Sequence, residues 1–220
     1  MSLLFSESPL IGLGTISFIF AGYLLDSKFI ICVSIFLLIF LIFFYRYSHK
    51  NVGVIQDNII LSPCEGRVLD ILDRQEHYYI PIFLSPMNQH GQIYPVNCKV
   101  IERKYDKTGE FDMVMNLSKS KNNEKKIHIL QMNNRVILSL TQIAGFLPRM
   151  ITSSDDLTTY NAGDYLGMIK FGSRIDLLIP KLAPDGTQLQ LNIKKDSLVN
   201  IADVIGEYLP IYENCTCACL

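Results

Sequence analysis

The sequence has little with which to attract a charged partner. Its 20 Lys and Arg stand against 21 Asp and Glu, a formal net charge of -1. That balance removes the electrostatic case for a nucleic-acid partner or an acidic one. Histidines number only four. No C-x2-C pair, H-E-x-x-H run or similar ligand spacing occurs, so no metal is expected. The P-loop, the G-x-G-x-x-G turn and the G-x-S-x-G nucleophile elbow are missing too, which weakens nucleotide-binding and ordinary hydrolase readings. Of six cysteines, three crowd into the tail CTCACL, while Cys32, Cys64 and Cys98 are scattered. No evenly spaced disulfide framework results, and a reducing compartment is the simpler reading. Internal repeats, linkers and low-complexity tracts are lacking. The glycosylation pattern at Asn116 and Asn214 is short enough to arise by chance.

Apolar residues are plentiful: 49% of the chain, with mean hydropathy +0.24. Most of the excess lies before residue 45, in the runs Pro9 to Leu25 and Phe29 to Phe44, broken only by Asp26, Ser27 and Lys28. This pattern predicts a helical hairpin. Each run is at the short end of the roughly 17–25 residues that a spanning helix needs. A two-pass hairpin and a shallow re-entrant anchor both fit, and two passes are the favoured expectation. A cleaved signal peptide fits less well, because no basic region precedes the first run and a second follows at once. Arg46, His49 and Lys50 after the second run place the main domain on the cytoplasmic side. Residues 1–50 thus read as a membrane anchor and 51–220 as one β-rich domain with room for a real core.

From Val52 onward the chain alternates short β-branched and aromatic runs with Gly, Pro, Asn and Asp. The runs include VIQDNIIL, YYIPIFL, KVIERKY, FDMVMNL, RVILSLTQI and VNIADVIGEYL. Spacing of this kind predicts a mainly β fold, a compact sandwich or barrel with short helices. Residues 153–164 read as a loop. Within GMIKFGSRID the pair Gly172 and Ser173 interrupts an apparent strand, where glycine adds entropy to lose and no side chain to pack. His77 and His128 lie in strand-like runs, where a satisfied structural histidine is the default. His90 differs, because Pro86, Gly91 and Pro95 leave it on a loop beside a strand end, a place that can serve chemistry.

These oddities line up. FFYRY (43–47), LSPCEGRV (61–68), IFLSPMNQH (82–90) with Pro95, NNEKK (122–126), QIAGFLPRM (142–150) and GMIKFGSRIDLLIP (167–180) resemble, in order, the motifs of phosphatidylserine decarboxylases. The likeness is to the short, membrane-anchored type and runs to about residue 205. It implies that the chain cuts itself between Gly172 and Ser173, giving a large chain 1–172 and a small chain 173–220. The Ser173 hydroxyl attacks the Gly172 carbonyl and shifts the acyl bond from N to O. Elimination of that ester then leaves dehydroalanine, which hydrolyses to a pyruvoyl ketone. A hydroxyl is a poor nucleophile at neutral pH, so a base is needed with an acidic group to orient it, and His90 and Glu65 occupy the matching positions.

The same resemblance implies decarboxylation of phosphatidylserine to phosphatidylethanolamine and CO2, through a Schiff base between the substrate amine and the pyruvoyl group. Neither pyridoxal phosphate nor a metal is then required. His90 returns the proton to the carbanion. The partners implied are a phospholipid, the membrane and the two cut chains, with a homo-oligomer left open. Two departures stand out: Glu65 replaces the usual Asp, and Ile93 stands where many members have Arg or His. A non-enzymatic membrane-anchored β domain and a decarboxylase of an archaeal ether-linked serine lipid are the rival readings. The ending Cys217-Ala218-Cys219-Leu220 fits a prenylation pattern, although a thiol-rich disordered end is preferred.

Overall fold

The computed structural model describes residues 3–47, 52–107, 112–145, 151–170 and 173–211. Near the N-terminus a single turn, α1 (Leu4–Glu7), leads into α2 (Pro9–Leu24) and α3 (Lys28–Phe44). Pro9 at the first position of α2 presets a helical φ. Between the helices Asp26 takes φ 46, and the Ser27 hydroxyl faces the Ile30 N–H at 3.5 Å to cap α3. The two helices pack on each other as the hydropathy pattern predicts. Their lengths correct the two-pass expectation. At 16 and 17 residues they extend only about 24–26 Å, short of a hydrocarbon core of about 30 Å. Among the described residues no helix is long and apolar enough to cross a membrane.

The body is antiparallel β. In chain order the strands are β1 (Ile59–Leu61), β2 (Gly66–Val68), β3 (Leu72–Arg74), β4 (His77–Leu84), β5 (Gly91–Ile93), β6 (Cys98–Asp106), β7 (Lys125–Met132) and β8 (Ile137–Ala144). They continue with β9 (Ile151–Ser153), β10 (Thr159–Tyr160), β11 (Tyr165–Ile169), β12 (Ser173–Pro180), β13 (Gln188–Leu191), β14 (Leu198–Val199) and β15 (Val204–Leu209). The main sheet runs β10-β6-β7-β8-β12-β4-β2-β14, with β3 also on β4. Two small sheets, β1-β15-β13 and β5-β11-β9, complete the body. The barrel expectation is corrected as well. The main sheet ends on two-residue strands, β10 and β14, that do not pair with each other, so it stays open.

All three sheets share one core. Ile175, Leu177 and Ile179 of β12 meet Ile80, Ile82, Leu84, Leu138 and Leu140 from its two neighbours, with Ile60, Leu166 and Ile205 from the small sheets. β12 is therefore held from both sides, laddered to β4 and to β8.

Three expected strands turn out differently. FDMVMNL is not a strand over its described residues. The Asn116 side chain accepts the N–H groups of Ser118 and Lys119, which bends the chain into the 3-10 turn Lys119–Asn122. VNIADVIGEYL is cut by a turn in which Asp203 accepts the Asn200 N–H at 2.7 Å and Ala202 takes φ 67. GMIKFGSRID is two strands in two sheets: β11 ends at Ile169 and β12 begins at Ser173. The loop expected at 153–164 contains the short strand β10.

Candidate active site

Ser173 opens β12, fully buried, with Leu84 of β4 opposite on one side and Ala144 of β8 on the other. Its Oγ donates to the Ile169 carbonyl at 3.2 Å, back across the passage from β11 to β12. Gly172, its expected scission partner, lies outside the described residues, as do the cysteines of the tail.

His90 arrives from the other side. It ends the loop between β4 and β5, and its neighbour Gly91 pairs with Met168 of β11, one residue from the carbonyl that Ser173 addresses. Gly91 is required by close approach: a Cβ there would lie 2.4 Å from the Tyr47 ring. The loop is sealed from the N-terminal side by Phe44, whose ring centroid is 4.2 Å from that of His90.

The hydrogen bonds assign the tautomer. His90 Nδ1 lies 2.9 Å from the Asn88 carbonyl, which can only accept, so Nδ1 carries the proton. Nε2 is left with a bare lone pair, buried and without a partner. Burial pushes the His90 pKa down to about 4, helped by Arg46 and opposed by the Asn88 bond and Glu65. The imidazole is thus neutral near pH 7, with the lone pair that a general base needs.

Glu65 does not touch the ring. Its Oε1 accepts from Asn88 Nδ2 at 2.7 Å and its Oε2 from the Gln89 N–H at 3.2 Å. Asn88 Oδ1 in turn accepts the Ser85 N–H at 2.9 Å. The carboxylate therefore holds the loop that holds the base. Gly66 lets it come this close, since a Cβ there would meet the Phe83 carbonyl at 2.4 Å. Ile93 is packed in an apolar cluster with Leu41, Phe44, Tyr45 and Met168.

Sequence reasoning missed two groups. Asn88, between Glu65 and His90, is an ordinary loop residue by type. Arg174 and Asp176 alternate with apolar residues in β12 and so point to the face opposite Ser173. There Arg174 Nε donates to Asp176 Oδ1 at 2.7 Å and its Nη1 to the Val114 carbonyl at 2.6 Å and Ser120 Oγ at 2.5 Å. Tyr79 donates to Asp176 Oδ2 at 2.5 Å. A cavity of about 380 Å³ borders this cluster and includes neither Ser173 nor His90 among its walls.

The N-terminal segment is stitched to the same end of the molecule. The Glu7 carboxylate accepts from Tyr165 at 2.7 Å and from Thr152 at 2.5 Å, and Lys170 Nζ donates to the Glu7 carbonyl at 2.6 Å. Burial lowers the Lys170 pKa. Among the described residues no cluster of metal-ligating side chains occurs.

Comparison with known proteins supplies a family. Residues 37–207 match the profile described as phosphatidylserine decarboxylase. The phosphatidylserine decarboxylase proenzyme of Geotalea daltonii is 31% identical over 170 residues, 74% of this chain and 77% of that protein. The proenzyme of Pelodictyon phaeoclathratiforme is 32% identical over 66% of this chain and 71% of its own length. That of Cytophaga hutchinsonii is 32% identical over 70% and 73%. No solved structure matches.

Proposed function

The chain belongs to the phosphatidylserine decarboxylase family, and from that premise we propose that it cuts itself before Ser173 and decarboxylates phosphatidylserine to phosphatidylethanolamine and CO2. The observation that carries the reading is the bare Nε2 of a neutral, buried His90, on a loop whose strand pairs beside the passage into Ser173.

Ser173 is the nucleophile. Rotation about its χ1 releases Oγ from the Ile169 carbonyl, and His90 Nε2 takes the hydroxyl proton as Oγ adds to the Gly172 carbonyl carbon. Glu65 acts one step back, fixing the Asn88 carbonyl that sets the His90 tautomer. Scission gives the large chain 1–172 and the small chain 173–220. Residue 173 stays in place because the Arg174 side chain is bonded to Val114 and Ser120 of the large chain.

The residues around position 173 fit a pyruvoyl group. The position is buried and strand-held on both sides, and the strand that follows His90 pairs with β11 one residue from the carbonyl that Ser173 addresses. Such a group supplies a ketone that condenses with the substrate amine and takes up the electron pair as CO2 departs. His90, once protonated, returns a proton to the substrate carbon.

The hairpin brings this site to its lipid. Phe18, Phe20, Leu24, Phe29 and Phe36 are each more than half exposed on helices too short to span. That combination supports a hairpin lying within one leaflet, with the β body at the membrane surface. Arg46, just after α3, favours the cytoplasmic side. The test is an SDS gel with intact-mass analysis of purified protein. Two chains are expected, the smaller starting at residue 173 with a blocked N-terminus. A single full-length species under active conditions overturns the reading.

A further inference from the structure

On the face of the main sheet that Ser173 shares, two buried polar side chains join a third from the small sheet in a line that the scission chemistry leaves unexplained. On β8, Ala144 stands opposite Ser173 and Gln142 opposite Ile175. Gln142 and Ser173 thus point the same way as diagonal neighbours, about 7–8 Å apart. His128 of β7, Gln142 of β8 and Gln92 of β5 are all fully buried.

Their hydrogen bonds run in one direction. His128 Nε2 lies 2.9 Å from Gln142 Oε1, an oxygen that can only accept, so that nitrogen carries the proton. Gln142 Nε2 donates to Gln92 Oε1 at 2.5 Å. The line ends at Gln92 Nε2, whose N–H donors have no partner. A buried donor left empty is destabilising and asks for an explanation. Here residues of three strands hold one such donor rigid, two positions along from His90.

We propose that the Gln92 side-chain amide receives the carboxylate of the serine headgroup, an inference that rests on the decarboxylase reading and names how the site tells substrate from product. The donor requires a ligand with an acceptor oxygen, and the carboxylate is what the serine headgroup has and the ethanolamine headgroup lacks. A neutral amide also suits the reaction. As the bond between the carboxylate carbon and the α-carbon breaks, its electron pair stays with the α-carbon side, and the carboxylate becomes uncharged CO2. A cation would hold the charged starting state too firmly, whereas an amide grips it less. The buried cations nearby are committed: Arg174 to Asp176, Lys170 to the Glu7 carbonyl. When CO2 leaves, Gln92 loses its acceptor and the product is held less tightly.

The test uses the mature, cut protein and two small ligands that cannot condense with a ketone. One is 3-phosphooxypropionate, with the headgroup's phosphate and carboxylate but no amine. The other is ethyl phosphate, which differs from it by loss of CO2. Calorimetric titration should show the carboxylate ligand preferred about tenfold or more. Gln92→Leu should abolish the preference while ethyl phosphate still binds, and Gln92→Glu, nearly the same size, should reverse it by charge repulsion. Equal binding of the two ligands to the unaltered protein, or an undiminished preference in Gln92→Leu, overturns the proposal. If the unaltered protein is neither cut nor active, the decarboxylase reading fails instead.

Discussion

The loop that carries His90 and the strand that carries His128 place the same side chain in environments that agree in every bulk property. Both imidazoles are fully buried. Burial drives both pKa values down to about 4. Each has one ring nitrogen bonded and one bare. They differ in which nitrogen is bonded, and to what. His90 gives its Nδ1 proton to a carbonyl of its own loop and keeps Nε2, at the tip of the ring, for a reacting group. His128 gives its Nε2 proton to Gln142 on the neighbouring strand, and its bare nitrogen is Nδ1. Burial and protonation state are shared, so the tautomer and its anchoring divide the tasks between base and support.

Removing the nucleophile has the largest effect expected. Ser173→Ala leaves no hydroxyl to attack, and intact mass should show only uncut chain. His90→Gln should slow cutting by roughly a hundredfold or more, as loss of a general base does, whereas His128→Gln should leave cutting within a few fold. Equal slowing by both substitutions would erase the distinction between the two histidines.

Glu65 comes next. In Glu65→Gln one acceptor oxygen becomes a donor facing the donors of Asn88 and Gln89, so the loop loses a bond and cutting should slow about tenfold. Glu65→Asp, shorter by one carbon–carbon bond of about 1.5 Å, keeps the charge and should fall between. A normal rate in Glu65→Gln would leave the loop held without the carboxylate.

Smaller effects lie in the pH dependence. Because His90 titrates near 4, the cutting rate should stay level from pH 8 to about 5 and fall only through about 4. Phe44→Ala admits water to the ring and should move that acid limb upward, toward the free value of about 6.5. A limb unmoved by Phe44→Ala would mean that other groups keep the ring dry.

The smallest change concerns stability. Each folded histidine pKa lies below its unfolded value, so the unfolded chain binds more protons between about pH 6.5 and 4, and stability falls as pH drops through that window. His128→Gln removes one of the two contributions and should flatten the slope of denaturant midpoint against pH in that range. An unchanged slope would show that the His128 environment does not shift its titration.

What the sequence determined by itself is what short-range pattern can encode. Alternation placed Ile175, Leu177 and Ile179 in the core, continuous apolarity marked both helices of the hairpin, and prolines and glycines marked the His90 loop. The order of motifs also pointed to the family that the comparisons identify. Pattern failed where a side chain competes with the backbone. Asn116 led the chain from an apolar run into the 3-10 turn that follows it, and Asp203 split what reads as one strand. Only the tertiary structure decided that GMIKFGSRID divides between two sheets and that Glu65 reaches His90 through Asn88. It alone turned a neutral amide, Gln92, toward the nucleophile's face of the sheet. These are pairings between residues tens of positions apart, and their geometry depends on strand register and on which nitrogen holds a proton. Neither is written in the local alternation of residue types, because both are set by partners that arrive only when the sheets assemble.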